Sequence, residues 1–585
     1  MTNSNNYQTF WLKKSNLIVW HKKPSKSVKL LKNNKHKWFP DGKLNAAFNC
    51  LGKNIKLYEN KKAIVFVNEK KELDDITYGE LENLVNKFCI FLISKKKKIN
   101  KVLIHASSSI VSVVSMLASA KMGVEFTVVF EDLPLNAIEQ RINLFKPDII
   151  ITRSKFYTID NFNNLKKEKD FFIITSNDKQ KLSSNSSYFK FKKVKKKIII
   201  PYKYFNSNNP FFTLFTSGST GVPKAIVHST GGFLLYAKYT AIKQFNMNSK
   251  STVLTASDAG WINGHNYGLF APLSLGATVI CLEKPFLLID YKFLNKLIKK
   301  LEITILYLPV TLIRLMKSIY PQNKKKNNSS IKVLGSMGEP LASSVAKWFS
   351  DLFFKDSRPI VNTYYQTETG AILASPRYNE KKVKTNGTVG KPLNKYIRFN
   401  IPKNKKKLFN LEIKLPWPGQ MINILNGVRE WNKYWNKKNF RLFDLAKIDK
   451  NNNINVTGRS DDVINIRGHR IGSEEIESTL LKLKEIKETS AISIDDNFEG
   501  SGFIIFYVSK LKLEKKINRM IEDNYGSFAL PKKIFKITEL PKTKSGKILR
   551  RLLRTIYDDP KSINSIDLST MINKKVIYEL KKILK

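Results

Sequence analysis

The stretch Thr213-Leu-Phe-Thr-Ser-Gly-Ser-Thr-Gly-Val-Pro-Lys-Ala-Ile-Val-His-Ser-Thr230 sets hydroxyls and glycines between two apolar runs. Ser217-Gly218-Ser219-Thr220-Gly221 carries no bulky side chain. Glycines let successive backbone N–H groups converge on an anion, and the hydroxyls add donors. Such a run can also be a plain surface loop. The preceding Phe211–Phe215, which reads as a strand, and the following Lys224 favour a phosphate cradle. A Walker loop needs a lysine directly after its second glycine. Here Pro223 stands in front of Lys224, so that pattern fails. The loop therefore predicts an anion site at a strand end in an architecture other than a P-loop NTPase.

Residues 62–67, 102–106, 126–130 and 148–152 read as short buried strands, with helices over 79–94 and 108–121 between them. Apolar runs at 252–256, 277–282, 304–308 and 331–335 continue the alternation. Strands alternating with amphipathic helices predict an α/β fold with parallel-rich sheets flanked by helices. Segment 178–200 is rich in Ser and Lys and reads as a surface loop. The cluster Asp449-Lys-Asn-Asn-Asn-Ile-Asn455 is a turn, after which the texture changes to a compact α+β pattern. The expected division is a large N-terminal domain, 1–460, and a small mobile C-terminal domain, 461–585.

The chain has 585 residues, 42% of them hydrophobic and 11% aromatic, which suits a globular protein with a large core. Lys121 and Glu125 interrupt its longest apolar stretch, 102–130, so no membrane span is expected there. No apolar segment follows a basic start, so no signal peptide is read. Cys50, Cys89 and Cys281 lie far apart, with neither disulfide-framework nor zinc spacing, and a cytoplasmic setting is expected. The formal charge of +54 raises the alternative of a nucleic-acid-binding protein. The lysine runs at 95–98, 195–197, 324–326 and 405–407 are spread along the chain and not interleaved with aromatics. They read as a solvated surface whose field attracts small anions, with no specific nucleic acid as partner.

Taken together with Tyr364-Tyr-Gln-Thr-Glu-Thr-Gly370, Gly458-Arg-Ser-Asp-Asp-Val-Ile-Asn-Ile-Arg-Gly-His-Arg470 and Leu540-Pro-Lys-Thr-Lys-Ser-Gly-Lys547, the loop resembles the adenylate-forming superfamily. That superfamily holds the acyl-CoA synthetases, luciferases and peptide-synthetase adenylation domains. Leu44-Asn-Ala-Ala-Phe-Asn-Cys50, Asp258-Ala-Gly-Trp-Ile-Asn-Gly-His265 and Leu334-Gly-Ser-Met-Gly-Glu-Pro340 extend the likeness to its short-chain branch, the acetyl-CoA synthetases. About 1–60 is similar to that branch's N-terminal segment. The resemblance implies a ligase that joins a small carboxylic acid to ATP, giving an acyl-adenylate and pyrophosphate, and then passes the acyl group to coenzyme A. A carrier-protein thiol is the alternative acceptor. A monomer or small homo-oligomer is expected.

The resemblance also implies roles. Thr216, Ser217, Gly218, Ser219, Thr220, Gly221 and Lys224 would close on the β- and γ-phosphates. Thr367 would donate to the α-phosphate, and Glu368 would hold Mg²⁺, a hard cation that takes carboxylate oxygen. Gly338, Glu339 and Pro340 would line the adenine, with Asn362, Thr363, Tyr364, Tyr365 and Gln366 completing the nucleotide site. Asp444 would take the ribose diol on its two acceptor oxygens, joined by Arg459. Arg470 would approach the phosphates. Lys547 would be the adenylation lysine, and a lysine acetyltransferase or deacetylase acting on it would switch the first step. Asp461 matches the hinge about which the C-terminal domain turns between half-reactions.

Trp261, Ile262, Asn263, Met337 and Tyr365 would form the acyl pocket, and Asn263, Arg467 and Gly468 would meet coenzyme A. Several positions depart from the family pattern. Tyr365 replaces a tryptophan, Ile262 and Met337 replace valines, and Asn263 replaces a threonine. The larger Ile and Met favour short acids such as acetate and propionate. Tyr365 and Asn263 bring polar groups that a polar substrate could pair, so acetate, propionate and a small hydroxylated or keto acid all stay open. Phe443 precedes Asp444 where the family has glycine, so a different turn is expected. Arg467 and Glu522 stand where coenzyme A contacts are expected to be serine and arginine. His265 has no second metal ligand at helical spacing and is read as a packing residue beside the acyl site.

Overall fold

The computed structural model describes residues 4–95, 98–131, 133, 135–153, 172–175, 186–193, 197–216, 223–320, 330–354, 358–380, 388–404, 408–460, 463–466, 469–496, 500–525, 529–543, 546–559 and 571–584. Among them, two large sheets dominate. In the first, Ser186–Tyr188, Phe172–Thr175, Ile149–Thr152, Lys101–His105, Glu125–Val129 and Pro210–Thr216 run parallel in that spatial order. Lys224–Ser229 and Asn423–Ile424 close it in antiparallel fashion. In the second, Val361–Asn362, Val333–Met337, Ile305–Pro309, Thr252–Thr255, Thr278–Leu282 and Lys62–Val67 are parallel, and Leu73–Thr77 is an antiparallel edge.

These strands read as apolar runs because both of their faces are buried. In the second sheet, Ile64, Val253, Val279, Ile305 and Val333 face the large central core. Their chain neighbours Val65, Leu254, Ile280, Leu306 and Leu334 face a second core on the other side. The period of two along a strand requires this split. The first sheet shares the central core through Val102, Ile104, Phe126 and Val128, so one apolar body joins the two sheets. The predicted helices form as Tyr78–Ile93 and Ile110–Met122, each with a capping box, at Thr77 and at Ser109. Lys121, buried inside the second, donates to Glu82 and Asn86. Within 178–200 the loop reading is corrected: Ser186–Tyr188 pairs as an edge strand.

The N-terminal helix Ser4–Lys14 is tied to this body. Trp11 and Trp38 are fully buried, their rings packing edge to face, and Trp11 also packs on Tyr236 and Tyr239. A hairpin of Asn439–Ile448 and Ile454–Arg459 turns at Asp449, whose carboxylate accepts from the N–H groups of Asn451 and Asn453. This is the predicted turn cluster. Beyond it, a three-stranded sheet of Glu488–Asp496, Gly500–Val508 and Lys533–Ile537 has apolar clusters of its own on its two faces.

Open parallel sheets place ligand sites outside the carboxyl ends of their strands. Met337, Pro309, Asn362 and Thr255 all end strands of the second sheet. The segments that follow them hold Gly338–Pro340, Thr311, Thr363–Glu368 and Trp261–Asn263. The fold thereby gathers residues separated by more than a hundred positions at one edge.

Candidate active site

The centre of this edge is the short turn Thr367–Thr369. Each of its carbonyls has a partner distant in sequence from the turn. Nε2 of buried His228 donates to Thr367 at 2.7 Å. The Met421 N–H donates to Glu368 at 2.9 Å, and the Trp417 indole N–H donates to Thr369 at 2.9 Å. Asn266 donates to the Gly370 carbonyl at 2.9 Å. Gly370 has a φ of 74°, and a Cβ there would lie 2.2 Å from the Gly419 carbonyl oxygen. Only glycine lets the turn press against that neighbour. The backbone is thus immobilised while the Glu368 side chain projects from it, half-buried.

Glu368 Oε1 accepts from the phenol of Tyr434 at 2.7 Å. The same phenol oxygen accepts from Lys224 at 3.4 Å. Thr216 and Lys224, which flank the hydroxyl-rich loop, are paired across neighbouring strands. Ser217, Gly218, Ser219, Thr220 and Gly221 lie outside the described residues. Among described residues no three His, Cys, Asp or Glu side chains group as a metal cage. A single projecting carboxylate fits Mg²⁺, which keeps waters and is shared with phosphate oxygens.

Asp444 is buried, and its Oδ2 accepts from the Tyr364 hydroxyl at 2.6 Å and from Gln366 Nε2 at 2.5 Å. Gln366 also donates to the Leu442 carbonyl, which ties the 364–366 segment to the 442–444 strand. Phe443 takes a left-handed φ of 56°, the conformation a glycine adopts freely. Asp444 and Arg459 are register partners across the hairpin. The Arg459 and Arg470 side chains lie outside the description, as do all of Asp461, Arg467 and Gly468.

Glu339 is held by Arg314, whose guanidinium donates to its carboxylate at 2.9 Å and to the Pro340 carbonyl at 3.2 Å. Thr363 bonds Ser336 and Tyr307, and Asn362 bonds Ser336 and the Thr388 carbonyl, stitching the two strand ends together. Tyr365 donates to Asn263 Oδ1 at 3.0 Å and touches the Met337 sulfur at 3.7 Å. Asn263 in turn donates to Thr255 at 2.6 Å. Tyr365 and Asn263, the two polar departures at the expected acyl site, thus pair with each other. His265 is fully buried, donates to the Trp261 carbonyl at 3.1 Å and stacks on Phe126. Burial lowers its pKa to about 3, as suits a packed neutral ring.

Lys547 is exposed, in a turn closed by Thr543 N–H to the Lys547 carbonyl at 2.8 Å. The turn rests on the large body at Thr311, where a Cβ on Gly546 would lie 2.7 Å from the threonine methyl.

A family profile described as "AMP-binding enzyme" matches residues 52–406, more than half of the chain. The chain belongs to the AMP-binding enzyme family. It is an AMP-forming acid–thiol ligase by class. A profile for the acetyl-coenzyme A synthetase N-terminus matches 3–50, and one for the AMP-binding enzyme C-terminal domain matches 475–547. Acetyl-coenzyme A synthetase of Helicobacter pylori (strain G27) is 30% identical over 628 aligned positions, covering 99% of this chain and 93% of that protein. The protein of that name from Leptospira biflexa serovar Patoc (strain Patoc 1 / Ames) is 31% identical, covering 98% and 93%. In fold, the chain is similar to acetoacetyl-CoA synthetase from Streptomyces lividans, with a TM-score of 0.82 at 17% identity, covering 99% of this chain and 93% of that one.

Within this family member, Tyr434, His228, Arg314 and Trp417 also shape the site, and none of them carries a local sequence signal. His228 lies within Thr213–Thr230, but its fully buried position and its bond to residue 367 are tertiary facts. Tyr434 sits in the aromatic-rich Trp431-Asn-Lys-Tyr-Trp435, whose composition carries no signal of a site.

Proposed function

We propose that this chain activates a short, unsubstituted carboxylic acid, acetate or propionate, with ATP and Mg²⁺, and then transfers the acyl group to coenzyme A. The observation that carries the choice of acid is the Tyr365–Asn263–Thr255 chain. Its polar groups are satisfied inside the protein beside Met337 and Ile262, so an apolar stub fits and a hydroxyl or keto oxygen gains no partner. A pocket that offers an apolar wall separates acids by size rather than by polarity.

In this reading the turn at 367–369 presents Glu368 to Mg²⁺ and Thr367 to the α-phosphate. Thr216 to Lys224 holds the departing pyrophosphate, Asp444 and Arg459 hold the ribose, and Gly338 to Pro340 face the adenine. Pentavalent phosphorus carries extra negative charge, so fixed donors and cations matter more here than acid–base groups. Lys547 supplies the cation between carboxylate and α-phosphate, Arg470 assists, and Asp461 is the hinge that withdraws Lys547 for the thiol step. Acetylation of Lys547 would remove its charge and stop adenylation. Coenzyme A meets the protein near Asn263, Arg467 and Gly468. No described helix is long and apolar enough to cross a membrane. A cytoplasmic protein, monomeric or a small homo-oligomer, completes the proposal.

Pyrophosphate release from acetate, propionate, butyrate, glycolate and pyruvate, with and without coenzyme A, tests it. Acetate or propionate should lead, and thioester should form with coenzyme A. Preference for glycolate or pyruvate would sink the choice of acid. Adenylate formation without coenzyme A thioester would point to a carrier-protein thiol.

A further inference from the structure

We infer that Tyr434 is a positioning residue that holds the loop cation Lys224 and the carboxylate Glu368 apart on one phenol oxygen, keeping both available to a divalent cation–triphosphate ligand. The inference rests on the reading of Glu368 as the cation carboxylate. Gathering the site at one edge creates an electrostatic problem. An ammonium and a carboxylate brought to one edge attract each other, and a direct ion pair would neutralise both before any ligand arrived. Here the phenol stands between them. It donates to Glu368 Oε1 at 2.7 Å and accepts from Lys224 Nζ at 3.4 Å. One hydroxyl has one proton, and that proton is directed at the carboxylate. The lone pair left over is what receives the ammonium.

The phenol can do this because its ring is fixed on several sides. Tyr434 is fully buried at the end of the helix Val428–Lys433. Its ring stacks on Phe440 at 5.8 Å and meets Phe443 edge to face at 5.3 Å. Its backbone is bonded to Trp431 on one side and Arg441 on the other. Lys224 lies 5.0 Å from the ring centre of Tyr434 and 5.8 Å from that of Phe443, so the two rings cradle the ammonium without neutralising it. The left-handed Phe443 thus serves two ends: it turns the chain into Asp444 and supplies a wall for Lys224. A carboxylate held on one oxygen by a phenol keeps its orientation while accepting further ligands on its remaining lone pairs.

Tyr434→Phe keeps the ring and deletes only the hydroxyl, so Lys224 is free to close directly on Glu368. The test is Mn²⁺ binding, read by electron paramagnetic resonance, with a non-hydrolysable ATP analogue, beside metal-free AMP binding by calorimetry. Mn²⁺ affinity of the analogue complex should fall about tenfold while AMP affinity changes by less than about twofold. In a Lys224→Met background, where no ammonium can seize Glu368, the same change should cost Mn²⁺ affinity less than about threefold. Unchanged Mn²⁺ affinity in Tyr434→Phe overturns the inference, as do additive effects of the two changes. Parallel loss of AMP affinity overturns it too, since that would mark a merely structural residue. A wild-type protein that forms acyl-adenylate yet shows any of these results loses the spacer alone. A wild-type protein with neither pyrophosphate exchange nor Mn²⁺ binding loses the functional reading and the inference with it.

Discussion

The phenol of Tyr365 donates to Oδ1 of Asn263 at 3.0 Å, and Asn263 donates on to Thr255 at 2.6 Å, so these polar side chains are paired within the protein. Tyr365→Phe conserves size but strands a buried acceptor, a loss of about 1–3 kcal/mol. The variant should melt lower while keeping its ranking of acetate, propionate and butyrate. Tyr365→Ala removes the ring next to Met337 and should raise butyrate kcat/KM relative to acetate. Measured selectivities that follow the hydroxyl rather than the ring would show that the pocket reads polarity.

Phe443 holds a φ of 56° directly before Asp444. For a bulky side chain the left-handed region is strained by roughly 1–2 kcal/mol, and a β-branched one is worse placed, whereas Asn tolerates it. Phe443→Asn and Phe443→Val both delete the ring, so their difference isolates the backbone. The Val variant should unfold at lower denaturant than the Asn variant, with weaker AMP binding as Asp444 moves. Equal midpoints would mean that the turn carries no strain.

Much of this was legible in the sequence, and the reasons differ by residue. Strands such as Lys62–Val67 and Ile149–Thr152 announce themselves because parallel strands buried on both faces must be apolar throughout. Ser186–Tyr188 does not, because an edge strand of Ser-Ser-Tyr lacks that run. The loop and the Gln-Thr-Glu-Thr turn stand out by local composition. Tyr434 and His228 do not, since their bonds to the turn span 66 and 139 residues and no periodicity links them. At Phe443 the missing glycine suggested a different turn, but packing of the ring against Tyr434 and Lys224 helps hold a side chain where a glycine would be expected.

His36, His228 and His265 are buried and neutral, with burial lowering their pKa values from 6.5 to about 4, 4 and 3. The unfolded chain therefore takes up protons below pH 6.5 that the folded chain refuses. Their contribution is constant above pH 6.5, erodes as the pH falls, and stops changing below the folded values. Each should cost about 2 kcal/mol at pH 5 relative to pH 7.5. His228→Gln should flatten that part of the stability profile in urea unfolding at the two pH values. A slope identical to wild type would show that His228 is protonated in the folded state.

Gly546 places the Lys547 turn on Thr311: its φ is 84°, and an added Cβ would lie only 2.7 Å from the threonine methyl. Gly546→Ala adds both a strained backbone and a clash, so the turn should lift off the large body. If Lys547 serves adenylation only, acetate-dependent pyrophosphate exchange should fall about tenfold or more. Conversion of supplied acetyl-adenylate to thioester should be nearly unchanged, because that step would use another face of the C-terminal domain. Thr311→Ser removes the obstructing methyl, so in the Gly546→Ala background it should recover part of the exchange, leaving the backbone strain as the remainder. Equal loss in both half-reactions, or no recovery with Thr311→Ser, would show that the contact supports the fold and does not set the position of Lys547.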